Sequence, residues 1–434
     1  VLSLGISNNL FWVCCGFFIQ IHSSHSRILA EIFQMNDLSE NNKPLYFVQL
    51  DSLRFLAAFM IVFYHAFESW VGWYGIPWRL ATPDGKNWNL FGDLFQRFNH
   101  NLAFGVDIFF LISGFLITYL LLKEKSEKGK INIPNFFLRR IFRIWPLYFF
   151  IVAIAPFLVH WLGSHELDYH AWLAKNQPDY KSTILFYNNF HSIGVDKLGQ
   201  NPWTFPFSHF WSVNIEEHFY LVWPFLVSLF SIRRLPIALV GIILASIAYR
   251  AYAFYFIQDH SWFPIYMHTL ARIDVLAIGG LVAWFHFKKP FTLNIAFRVR
   301  VLIFCFLIFM LTVTDLSLFD SFYTACFKKY VCLALAGILM MCFVFNPRKG
   351  FVFGPKHVFS YLGRCSYGIY MWGNIILPLV IPKFLQHFSW GGHTFQYWSV
   401  VIGTSLLVPV ITYELIEKPF LKLKSRFAII KTRL

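Results

Sequence analysis

The chemistry-bearing residues of this chain sit where apolar sequence should exclude them. One stretch, residues 50–65, opens with Asp51 and Arg54 and runs through apolar sequence to His65. Arg54 and His65 are 65 − 54 = 11 positions apart. At about 100° per residue that is roughly three helical turns, so both share a face, about 16 Å apart along the axis. With Arg54 at a membrane surface, His65 lies near the bilayer middle, where an ionisable side chain is a candidate functional group. The competing reading is a histidine that donates to a backbone carbonyl of a neighbouring helix.

A second stretch, residues 209–224, carries Glu216 and Glu217 inside apolar sequence, with Trp211 before them and Tyr220 one turn after Glu216. Two adjacent carboxylates in a membrane segment are hard to explain as packing. At least one should pair with a base such as His65 or with an arginine. Arg140 and Arg143 are three apart on one helix face and suit either bidentate contact with phosphate or anchoring at lipid headgroups. Asp107 and Ser113 are polar positions in the apolar run 105–117; Asp107 reads as a helix N-terminal carboxylate, and Ser113 with Gly114 as a close-packing point. Arg272 and Asp274 read as an intramembrane ion pair of structural type.

Helices that cross a membrane must position these groups. Of the 434 residues, 57% are hydrophobic and 14% charged. An average soluble domain carries about 25% charged residues. The expected fold class is therefore all-α, a polytopic transmembrane bundle. About ten candidate spans lie near 52–70, 103–122, 144–162, 211–230, 236–256, 270–286, 301–316, 327–345, 361–385 and 397–416. Lys and Arg crowd alternate loops, which places both ends in the cytoplasm and makes the formal charge of +15 a topology signal, not a nucleic-acid footprint. The seven cysteines show no paired spacing, so neither a disulfide framework nor a metal site is expected. Residues 1–43, in which the first methionine is Met35, read as a leader or upstream-translated segment; 44–420 is the transmembrane domain, and 421–434 a basic cytoplasmic tail.

Taken in order, these motifs resemble the bacterial acyltransferase family 3, integral-membrane O-acyltransferases of surface and secreted carbohydrates. The resemblance runs from about Tyr46 to Phe420. It rests on Asp51 to Arg54, the Arg54–His65 spacing, the block from Phe109 to Ile117, the Arg140–Arg143 pair, the block from Trp211 to Tyr220, and the closing run at Glu417. It implies a ten-helix core in the bacterial inner membrane, no permanently bound cofactor, acetyl-CoA or another acyl-CoA as cytoplasmic co-substrate, and a carbohydrate hydroxyl as acceptor. Carried over, His65 is the catalytic histidine, and Arg54, Arg140 and Arg143 serve donor binding or the catalytic core. The sequence departs from the family pattern after Trp372, where Gly373 and Asn374 stand in place of a frequent histidine, and at Ser52, where glycine is frequent.

The residues and the resemblance lead to one expected mechanism. His65 takes the proton of a sugar hydroxyl as it attacks the thioester, with Glu216 or Glu217 orienting the imidazole or the acceptor. An acyl-histidine relay is its variant. Asp51, Asp107, Ser113, Trp211, Tyr220, Arg272 and Asp274 complete the substrate-contacting or structural polar core. The alternative is a proton-coupled transporter or flippase of a lipid-linked sugar or small solute, in which the same groups form a proton relay. Release of CoA separates the two.

Overall fold

The computed structural model describes residues 47–73, 90–163, 179–198, 206–257, 262–290, 295–314, 319, 321–346, 353–386, 393–427 and 429–430. The expected leader, 1–43, lies outside the described residues. Among these residues the regular elements are helical, with no strand. The ten long helices are α1 (Val48–Trp73), α2 (Gly105–Lys128), α3 (Ile133–Gly163), α4 (Trp211–Leu229), α5 (Leu235–Phe256), α6 (Thr269–Lys288), α7 (Phe297–Val313), α8 (Lys328–Phe345), α9 (Ser366–Gln386) and α10 (His393–Thr412). Each coincides with one expected span. Seven apolar helical segments, containing α1, α2, α3, α5, α6, α8 and α10, are long and apolar enough to cross a membrane. The other three, α4, α7 and α9, have 19, 17 and 21 residues. The molecule is an all-α, multi-pass membrane protein.

Close contacts between small residues set the frame. A Cβ on Gly114 of α2 would stand 2.0 Å from the Leu276 carbonyl oxygen of α6, and one on Gly279 of α6 would stand 2.3 Å from that of Leu111. The two backbones touch, as small residues allow between membrane helices. Gly363, in the short helix Val358–Arg364, is equally constrained: its Cβ would fall 1.9 Å from the Asp51 carbonyl oxygen of α1. The expected close-packing point at Ser113 and Gly114 is thus carried by Gly114.

Two helices depart informatively from the expected bounds. α3 begins at Ile133, not near 144, because residues 133–143 alternate basic and aromatic faces and the Asn132 side chain accepts from the Asn135 N–H at 3.0 Å, capping the helix. α10 passes through Pro409 into a wide π-helical turn, Tyr413–Glu417, and a terminal helix, α11 (Lys418–Lys424). Phe142 of α3 stacks on both Phe420 and Phe427 at 6.3 and 5.7 Å, and Arg139 donates to the Phe427 carbonyl at 2.9 Å. α11 therefore runs across position 420 and packs on α3.

Candidate active site

At one end of the bundle the structure gathers the predicted arginines. Arg54 interacts electrostatically with Arg143, Asp51, Tyr220 and Glu216, and Arg140 with Tyr220, Arg139, Arg143 and Arg54. Arg54 reaches Asp51 at 3.5 Å, the outer limit of a hydrogen bond. Arg139 is tied to Glu124 at 3.2 Å. Arg140 instead lies over the rings of Phe136 and Tyr220, at 5.8 and 5.7 Å. Its Nε is buried without a hydrogen-bond partner. Among the described residues, no carboxylate lies within 4.0 Å of Arg140 or Arg143.

Glu216 of α4 connects this end to the interior. Its Oε1 accepts from Ser113 Oγ at 2.8 Å and its Oε2 from Tyr220 OH at 2.9 Å. The Tyr220 contact follows from i,i+4 spacing. The Ser113 contact requires α2 and α4 to be locked in register. Trp223 Nε1 does this by donating to Thr118 Oγ1 at 2.8 Å, and Lys125 by donating to the carbonyls of Val227, Ser228 and Phe230, each at 2.8 Å. The lysine thereby caps the α4 C-terminus, where positive charge is favoured. Glu217 points to a different place, beside Trp145, with Oε1 buried and unbonded.

His65 finds a partner that the sequence reading did not assign. Asn374 Nδ2 lies 3.1 Å from His65 Nε2. Neither Glu216 nor Glu217 bonds the imidazole, because Asn374 fills that position. The two residues after Trp372 explain the arrangement together. A Cβ on Gly373 would stand 2.9 Å from Val62 Cγ2, so glycine lets α9 press on α1 one turn before His65. The start of α9 is also pinned to the start of α4: Tyr370 OH donates to the His209 carbonyl at 2.8 Å, and His209 Nε2 donates to the Met371 carbonyl at 3.0 Å. His209 is buried and close enough to His65 for their charges to interact. Three residues beyond His65, Glu68 accepts from Asn99 Nδ2 at 3.2 Å. The i,i+3 spacing of His65 and Glu68 was the available signal for it.

The remaining predicted polar residues form two ion pairs, and here the sequence reading requires correction. Arg272 and Asp274 do not pair with each other. Arg272 Nη2 donates to Asp107 at 3.0 Å, with its guanidinium 5.1 Å from the Tyr266 ring and 5.8 Å from that of Trp211. Asp274, 0% exposed, accepts from Arg250 at 2.8 Å, Lys329 at 3.1 Å and Tyr330 OH at 2.6 Å. The reason is geometric: residues two apart on a helix point roughly 200° apart and cannot face each other. Asp107, Trp211 and Arg272 thus come together, while Asp274 belongs to a separate network. Lys329, at the start of α8, is a member of that network.

The arrangement offers a cationic end suited to phosphate and, about three turns along α1, an imidazole held by an amide. A family described as an acyltransferase domain matches residues 47–414. The chain is 25% identical over 404 residues to the peptidoglycan O-acetyltransferase OatA of Listeria monocytogenes, covering 87% of this chain and 56% of that one. It is 25% identical over 403 residues to the O-acetyltransferase OatA of Staphylococcus aureus, covering 89% and 59%. The chain therefore spans somewhat over half the length of these relatives. No solved structure matches.

Proposed function

The chain belongs to the acyltransferase 3 family, and from that premise we propose that it moves an acyl group, acetyl in the first instance, from cytoplasmic acyl-CoA to a hydroxyl of a cell-envelope or exported carbohydrate. Peptidoglycan, named for the Listeria relative, is one such acceptor. The reading places all ten long helices across a bacterial inner membrane, with both ends cytoplasmic. The single observation that carries it is that Arg54, gathered with Arg140 and Arg143 of α3, shares α1 with His65 about 16 Å further along the axis.

The phosphates of the donor lie at Arg54, Arg140 and Arg143, where guanidinium groups meet phosphate oxygens bidentately. The pantetheine arm then runs along α1 and brings the thioester to His65. The hydroxyl proton passes to the imidazole as the hydroxyl oxygen bonds to the thioester carbonyl carbon. Collapse of the tetrahedral intermediate breaks the carbon–sulfur bond, and the CoA thiolate recovers the proton from the imidazolium. The Asn374 amide nitrogen that faces Nε2 is a donor and occupies that lone pair. In the reacting state the amide turns Oδ1 to Nε2–H, which fixes the ring and leaves Nδ1 to take the proton, as an asparagine does in some hydrolytic triads. Glu216, fixed by Ser113 and Tyr220, lies between the two ends and counters the arginine charge.

The test uses membranes containing the protein, acetyl-CoA labelled in the acetyl group, and a His65→Ala variant at matched protein level. Label in an envelope sugar and CoA release, both lost in the variant by about 10²-fold or more, are expected. Equal CoA release by both proteins removes the general-base assignment. A general base also requires neutral imidazole, so activity falls as the medium is acidified; a flat profile from about pH 5 to 8 contradicts it.

A further inference from the structure

The C-terminal helix α11 lies beyond the matched family region, which ends at residue 414. Nevertheless it reaches the arginine cluster. Phe420 and Lys424 are four apart on α11, one face of the helix, and Phe427 closes the 3-10 turn Ser425–Phe427 that follows it. The two phenylalanines stack on Phe142 of α3, and Arg139 donates to the carbonyl of Phe427. Lys424 stands on the stretch between these two contacts. Lys424 is half-buried there and interacts electrostatically with Arg140, Arg143, Arg54 and Arg139. Among the described residues it has no hydrogen bond and no carboxylate within 4.0 Å. By contrast, Lys422 on the same helix is exposed.

Arg139 and Arg54 meet Glu124 and Asp51 at 3.2 and 3.5 Å. Arg140 and Arg143, however, have no carboxylate within 4.0 Å among the described residues, with Glu417 only at longer range of Arg143. Docking a lysine beside these two is unfavourable unless an anion completes the group. We propose that Lys424 is a donor-binding residue, that α11 forms one wall of the phosphate site, and that Lys424, Arg140 and Arg143 together hold a phosphate of acyl-CoA. The proposal rests on the acyl-CoA reading above and adds a residue outside the family's matched region. An anionic lipid headgroup shares this chemistry, and the test separates the two sources.

The experiment measures binding of CoA and of dephospho-CoA to the purified full chain in phosphatidylcholine nanodiscs, for the wild type, Lys424→Ala, Lys424→Arg and Lys422→Ala. The expected result is about tenfold weaker CoA binding for Lys424→Ala, the size of one lost charge-assisted hydrogen bond. Lys424→Arg restores most of the affinity and Lys422→Ala leaves it unchanged. A loss for CoA greater than for dephospho-CoA assigns Lys424 to the 3′-phosphate, and an equal loss assigns it to the diphosphate. Wild-type affinity in Lys424→Ala overturns the proposal while leaving the acyl-CoA reading intact, and a wild type that binds neither compound overturns both. The measurement is repeated with phosphatidylglycerol in the nanodiscs. If Lys424→Ala loses only phosphatidylglycerol contact, with CoA affinity unchanged, the site is a lipid site and the proposal fails.

Discussion

Arg250 and Lys329 converge on Asp274 at 2.8 and 3.1 Å, with Tyr330 closing the group. At the other cationic site, Arg140, Arg143 and Lys424 face no carboxylate within 4.0 Å among the described residues, although Glu417 lies near enough to Arg143 for their charges to interact. In the first network a carboxylate meets its cations at contact distance and joins α5, α6 and α8, so its charges act in the fold. The second gathers cations at an end of the bundle with no carboxylate within 4.0 Å of Arg140, Arg143 or Lys424 among the described residues, as the proposed phosphate site requires. Charge content alone does not separate the two, since both contain arginine and lysine. The difference lies in where the carboxylates are.

The sharpest way to break the comparison is to remove the shared carboxylate. Asp274→Ala strands Arg250 and Lys329 in a buried site and is expected to destabilise the protein by about 3–5 kcal/mol. Thermal unfolding in detergent measures this; an unchanged unfolding temperature would mean that the network is not structural. At the cationic end the signs reverse. Arg140→Ala is expected to weaken CoA binding about tenfold or more, yet leave the unfolding temperature unchanged or raise it, because like charges are relieved. A fall in stability comparable to that of Asp274→Ala would erase the distinction. A smaller effect is expected at the histidine. Asn374→Ala lowers kcat by about tenfold, the loss of one orienting hydrogen bond, and leaves CoA affinity unchanged. A rise in KM alone would place Asn374 in substrate binding. Smallest is Ser113→Ala, which removes one of two hydrogen bonds to Glu216 and should reduce kcat/KM several-fold, for about 1 kcal/mol. Ser113→Thr, which keeps the hydroxyl, distinguishes loss of the bond from loss of packing.

The helices were legible in the sequence because the constraint on them is local: an apolar run of adequate length has few alternatives in a bilayer. All ten expected spans coincide with helices, and the polar residue types of the site were equally visible. Their pairing was not. His65 and Asn374 are 309 positions apart, and only the packing of α9 on α1, permitted by Gly373, brings them together. Ser113 resembled a packing residue because its partner Glu216 lies on another helix. The mistaken pairing of Arg272 with Asp274 had a different origin. Nearness in sequence was read as nearness in space, whereas helix geometry already separated them. Lys424 lay in what the charge pattern marked only as a basic tail. Its role depends on a docked face that Phe142 defines from another part of the chain.

The contact between Gly114 and Gly279 also bears on redesign of the enzyme for other donors. Where backbones meet, there is no side-chain volume to trim, and any added carbon strikes a carbonyl oxygen. A library built to admit longer acyl chains therefore gains nothing by varying the α2–α6 seam. Under the proposed activity it should be directed at positions on α1 and α9 near the His65–Asn374 contact, where side chains and not backbones meet.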